Sequence, residues 1–204
     1  MNAEQGRAID DLAFLRALAD GGGDSQAATG AGLLAGGALY GLQCLIFAAQ
    51  AYGWLQFDEL GGMIFGIGPT VVFLIAIFWI TWRYREQSHS GGVAARALRA
   101  AFASSGTATI ALLCIFAWAA YREQSLTIWF LYPCSVFALQ GGAWMIAWLL
   151  RRRAWLGVVA FGWLLSSVVL SVTIGTRLYP IVAGLSLVLL MAVPGALMMR
   201  PATN

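Results

Sequence analysis

The chain has no lysine, one histidine and only 10% charged residues across 204 positions. Without lysine there is no amine to hold a retinal or pyridoxal Schiff base. The single histidine, His89, falls in a polar stretch between apolar runs. Bis-histidine haem, a histidine-rich metal site and a histidine-dependent nucleophile are therefore excluded. Cysteine is nearly as scarce: Cys44, Cys114 and Cys134 sit inside apolar runs with no CxxC spacing. They indicate neither a disulfide framework nor a metal site, and read as small core hydrophobes. No cofactor is expected.

Charge is scarce in a particular way. An ordinary soluble domain carries about 25% charged and about 45–50% apolar residues, whereas 60% of this chain is hydrophobic. The few charges lie in the first thirty residues or in short clusters between long apolar runs, the distribution of a bilayer protein. All twelve basic residues are arginine and they are scattered, so the net charge of +3 offers no basic face to a nucleic-acid backbone. The expected partner is the lipid bilayer, and no nucleic acid.

What is present is a series of six apolar stretches, at 31–52, 61–82, 100–120, 127–150, 154–174 and 178–199. Each is close to the roughly 20 residues with which a helix crosses about 30 Å of hydrocarbon, and a helix satisfies its own backbone there. The predicted fold is all-α: one polytopic domain over 31–204 with six transmembrane helices, whose short connections make consecutive helices antiparallel neighbours. Residues 1–30 are expected to be cytoplasmic. Ala8, Leu12, Leu15 and Ala19 share one stripe, which predicts a short amphipathic helix over 7–19. Asp10 and Asp11 on its polar face have the wrong sign for anionic lipid. The glycine-rich run 21–26 then predicts a flexible linker. The first thirty residues hold five acidic residues and no apolar h-region, so the first spanning helix is expected to direct insertion.

Orientation follows from the arginines. Arg83, Arg85, Arg96 and Arg99 flank the second connection and Arg151, Arg152 and Arg153 fill the fourth, while the first carries only Asp58 and Glu59. Even-numbered connections are thus expected in the cytoplasm, with both termini, in a bacterial inner membrane. Trp54, Trp82, Trp129 and Trp155 fall at predicted helix ends, where their amphipathic rings favour the headgroup region.

The halves echo one another. At an offset of 96, Leu60, Gly61, Phe65, Gly66, Val72 and Leu74 fall on Leu156, Gly157, Phe161, Gly162, Val168 and Leu170. At an offset of 97, Leu42 and Gln43 fall on Leu139 and Gln140. Three helices separate the copies, so this predicts a 3+3 inverted repeat of the kind from which many transporters are built. The second match, YREQS at 84–88 and 121–125, joins opposite membrane sides in this orientation and reads as coincidence.

No Asp, Glu, Arg, Lys or His lies well inside the six apolar cores, and such residues are the usual marks of proton relays and ion coupling. Catalysis is not expected, and the loop carboxylates Asp58 and Glu59 read as a solvated turn. Neutral polarity remains: Gln43 and Gln140, Thr70, Ser104, Ser105, Thr107 and Thr109, and Ser166, Ser167 and Thr173. Gln43, Gln140, Thr70 and Ser166 are the candidate polar contacts. Either they bond neighbouring helices at about 0.6 to 2 kcal/mol each, or the glutamines line a central site for a neutral solute. Gly32 with Gly36, Gly37 with Gly41 and Gly62 with Gly66 stand four apart and allow close helix approach, within the chain or between copies. Gly66, Gly68 and Pro69 predict a break in the second helix, and Pro194 with Gly195 a bend near the end of the sixth.

The residues REQSLTIWFLYPCSVFALQGGAW from Arg122, the RRR that follows with Trp155, YGLQ in the first helix and the acidic N-terminal stretch resemble a family of small bacterial inner-membrane proteins. The resemblance implies six helices and no assigned activity, and it carries no functional residues over. Two functions remain expectations: a non-catalytic accessory or scaffold module that packs on another membrane protein or on itself, and a passive channel or uniporter for a small neutral or lipophilic solute.

Overall fold

The computed structural model describes residues 3–83 and 93–199, with side chains described from Ala27 onward except at Glu59 and residues 93–95. The elements are α1 (Ala3–Ala51), α2 (Glu59–Arg83), α3 (Val93–Glu123), α4 (Leu126–Arg151), α5 (Ala154–Val172) and α6 (Tyr179–Leu187), then a π-helical turn (Val188–Ala192) and α7 (Val193–Met198). Among the described residues there is no strand. Six helical segments are long and apolar enough to cross a membrane: Ala27–Ala51, Leu60–Arg83, Arg96–Glu123, Leu126–Arg151, Ala154–Val172 and Tyr179–Met198. Every predicted stretch finds its helix.

The expected linker over 21–26 does not interrupt α1, which is one helix of 49 residues. Glycine costs about 1 kcal/mol in a helix interior, but no proline is present to remove a backbone donor or clash with the preceding turn. The helix expected over 7–19 is thus the first part of a continuous rod and not a separate element.

Helices pack in the order α2, α1, α6–α7, α5, α4, α3. Consecutive helices are neighbours with one exception, since α2 and α3 share at most a marginal contact among the described residues. The stretch 84–92 can span up to about 30 Å, so covalent connection does not force the two together. The close packing of α1 on the last span explains the arrangement better. Gly30, Gly37 and Gly41 of α1 face Gly184, Ala192 and Gly195. A Cβ on Gly37 would overlap the Ala192 backbone, and one on Gly30 would lie 2.8 Å from the Gly195 carbonyl oxygen. Two backbones approach this closely only where side chains are missing, the small-residue packing that replaces hydrophobic drive in lipid.

The densest core lies between α4, α5 and the last span, where Trp144, Trp163 and Leu170 are fully buried. Phe137 meets Trp163 edge to face at 4.8 Å, an arrangement that suits the aromatic quadrupoles. At the periphery the picture inverts: no described residue of the α2 span is buried, and α3 is nearly as open. In the sequence echo α2 corresponds to α5, yet α5 is packed by both α4 and α6 while, among the described residues, α2 packs extensively only on α1.

Candidate functional site

One of the polar residues singled out in the helices, Gln43, meets a helix break. Pro69 sits inside α2 without interrupting it. A proline has no N–H, so the carbonyl four residues earlier, that of Phe65, loses its helical donor. Gln43 of α1 supplies the replacement: its Nε2 donates to the Phe65 carbonyl at 2.9 Å and to the Gly66 carbonyl at 3.0 Å. The amide has two N–H groups and both are used. Gly66, Gly68 and Pro69 therefore form a patched break, and Gln43 is the patch.

The same device recurs at the end of the last span. Pro194 takes the helical donor from the Leu190 carbonyl, and the chain widens into the π turn Val188–Ala192 just before it. Trp163 of α5 donates its indole N–H to that carbonyl at 3.1 Å. Beside Pro133 in α4, Tyr179 of α6 donates its hydroxyl to the Phe130 carbonyl at 2.8 Å, with the two rings 5.0 Å apart. Sequence reasoning missed Trp163 and Tyr179. For Trp163 the signal was present in Pro194, which names Leu190 as the carbonyl that needs a donor, but only the fold says which side chain arrives; Pro133 strips the Trp129 carbonyl and gives no such signal for Tyr179, which bonds Phe130.

The remaining candidates divide. Ser166 accepts from the Ser186 hydroxyl at 2.9 Å and joins α5 to α6, and Ser167 donates to the Cys134 carbonyl of α4 at 2.8 Å. Thr70 is exposed on α2. Gln140 is half-buried on α4 and its amide has no hydrogen-bond partner among the described residues. No hydrogen bond joins the two glutamines, and they stand in different settings.

Asp58 acts as the cap of α2: its Oδ1 accepts from the Gly61 N–H at 2.8 Å, which satisfies one of the helix's orphan donors. Ser104, Thr107 and Thr109 bond carbonyls one turn back in α3 itself, at 2.9, 3.0 and 2.9 Å. The cysteines are free thiols on three different helices. The described residues contain no group of three or more His, Cys, Asp or Glu that could hold a metal. What the arrangement does chemically is supply N–H and O–H donors to neighbouring helices, and at the Phe65 and Leu190 carbonyls it does so where proline has removed the helix's own donor. No family model, curated protein or solved structure matches the chain.

Proposed function

We propose that the chain is a non-catalytic membrane module, an accessory or scaffold subunit of a bacterial inner membrane that packs on another membrane protein or on its own copies. The observation that carries this reading is the commitment of the Gln43 amide, within the first span, to two carbonyls of α2. Ser166, Ser167, Ser186, Trp163 and Tyr179 are likewise committed to neighbouring helices. A protein whose intramembrane polarity goes into holding its own helices has little left for a substrate.

The outer face of α2 gives such a module its contact. Gly62, Gly66 and Gly68 have nothing within 4 Å of where a Cβ would stand. Gly62, Gly66 and Thr70 recur every four residues and form one stripe, along which another helix can approach closely. Purification in a mild detergent tests the reading: a stoichiometric membrane-protein partner or a stable oligomer is expected, and a clean monomer with nothing associated overturns it.

The passive-permeation alternative, with its 3+3 inverted repeat, requires two equivalent glutamines facing a shared space. Melting curves with and without a panel of small neutral solutes decide between the two functions. A solute-dependent shift, lost in Gln140→Leu, favours permeation.

Orientation has its own test. The arginine asymmetry places His89 and Asn204 in the cytoplasm and Asp58 outside. Reporter fusions at the first two are expected to read cytoplasmic and an insertion after Asp58 external; an external signal at Asn204 defeats this topology.

A further inference from the structure

Five arginines that the sequence keeps in two separate groups meet at one end of the bundle. α3 runs antiparallel to α4, with Phe102 edge to face on Trp144 at 5.5 Å and Phe116 beside Tyr132 at 6.3 Å. One turn before Phe102, Leu98 is buried in the same core as Leu156 of α5. Arg96 and Arg99 flank Leu98, so the start of α3 stands against the turn from α4 to α5, which holds Arg151, Arg152 and Arg153. At 1.5 Å per residue, Arg96 and Arg151 lie about 9 and about 10 Å beyond the Phe102–Trp144 contact on the same side, nearly at one level. Asp58 and Glu123, the acidic residues whose side chains are described, both lie at the opposite end.

The turn between α4 and α5 is short and held in place. Only Arg152 and Arg153 separate the two spans, one ending at Arg151 and the other starting at Ala154. Trp148 lies against Gly157, where a Cβ would meet its ring at 3.1 Å, and Trp155 meets Trp144 edge to face at 6.1 Å. Arg152 has φ 49° and donates its backbone N–H to the Trp148 carbonyl at 2.7 Å. Glycine usually fills this left-handed closing position, so an arginine stands there at a steric cost. The side chains of Arg152 and Arg153 are both exposed, with no ion-pair partner among the described residues.

We propose that this end of the bundle binds the phosphate of an anionic phospholipid, contacted by Arg152 and Arg153 within the positive field of all five arginines. A guanidinium presents paired N–H donors that match phosphate oxygens. Basic clusters of this size directly at the ends of spanning helices attract anionic lipid. The level of the turn decides for a lipid over a soluble anion, because a residue that joins two spans stands at the headgroups. An apolar path for the chains starts one turn below. Val158, Phe161, Leu165, Val168 and Val172 of α5 are exposed and spaced by three and four, a continuous stripe along the helix. A zwitterionic headgroup would carry a second cation into the cluster, so the lipid selected is one with net negative charge. None of this depends on a protein partner.

The test melts the purified full chain in detergent with added phosphatidylglycerol, phosphatidylcholine or inorganic phosphate, and counts retained lipid by native mass spectrometry. Phosphatidylglycerol is expected to raise Tm by a few degrees and to stay bound, while phosphatidylcholine and inorganic phosphate do neither. Replacing Arg152 and Arg153 together by glutamine is expected to weaken phosphatidylglycerol retention by about tenfold and remove the shift. Should that variant fail to fold, Arg152→Gly serves in its place. Glycine accepts φ 49° without strain, so the lipid-free Tm is expected to hold while the lipid-dependent shift shrinks. Arg177→Gln, an exposed arginine in the fifth connection, is expected to keep the full shift. Three results each overturn the site: no shift with phosphatidylglycerol, an equal shift with inorganic phosphate alone, or an equal loss of the shift in Arg177→Gln, which would mark overall charge as the cause.

Discussion

Gly37→Leu is expected to abolish most of the folded protein recoverable in detergent, while Gly62→Leu should leave yield and Tm close to those of the unaltered chain. The two glycines look alike in the sequence, each being half of a four-residue pair in an apolar helix. Their surroundings differ completely. A Cβ at position 37 would run into the Ala192 backbone, with that residue's Cβ only 2.9 Å away, whereas at position 62 there is nothing within 4 Å. Overpacking a core against flexible side chains typically costs about 1–3 kcal/mol. Here the obstacle is main chain that cannot rotate aside, so α1 must separate from the last span, and the cost should exceed that range. A protein of ordinary stability, about 5–15 kcal/mol, loses a large fraction of it. Size-exclusion chromatography with tryptophan fluorescence, followed by thermal melting, reads both variants. Equal melting of Gly37→Leu and Gly62→Leu would refute the close packing of α1 on the π turn of the last span. A loss of association in Gly62→Leu without a loss of Tm would in turn support the outer face of α2 as the docking surface.

The contrast between these glycines also marks what the sequence can disclose. Helix existence is governed by local composition, since about 20 apolar residues without charges can do little in lipid except form a helix. The six spans were therefore legible almost to their ends. Neighbour relations are governed by which faces fit, and here the local signal fails. Gly37–Gly41 and Gly62–Gly66 are equally good packing motifs, and nothing local says that the first is matched by Gly184, Ala192 and Gly195 more than a hundred residues away while the second is left open. The same limit separated Gln43 from Gln140. Each follows a leucine, but the Phe65 carbonyl needs the Gln43 amide only because Pro69 has stripped its helical donor, and reaches it only because α2 lies against α1. The 21–26 stretch failed for a different reason: glycine raises the cost of a helix without forbidding it, and only proline or a competing cap would have enforced a break.

Gln43→Leu is expected to lower stability by about 2 kcal/mol, and most of that cost should vanish when Pro69 is also replaced by alanine. Removing the amide leaves the Phe65 carbonyl without a donor in an apolar setting, and an unsatisfied buried group costs about 1–3 kcal/mol, whereas an average intramembrane side-chain hydrogen bond contributes about 0.6 kcal/mol. The excess over that average is the penalty attached to the orphaned carbonyl. Pro69→Ala restores a backbone N–H four residues from Phe65, so the helix satisfies its own carbonyl and Gln43 becomes an ordinary contact. In the Pro69→Ala background Gln43→Leu should then cost under about 1 kcal/mol, a coupling of roughly 1 kcal/mol between two residues on different helices. Melting curves of the four proteins in one detergent measure this coupling directly, and amide exchange over Phe65 to Val71 locates it. In the single Gln43→Leu variant these amides should exchange faster, because among the described residues α1 is the one helix against which α2 packs extensively. The cycle also separates repair from solute binding, since a glutamine that served only a solute would show the same stability cost with either residue at position 69. Additive costs within experimental error would mean that Gln43 does not compensate for Pro69, and the scaffold reading would lose the observation that carries it.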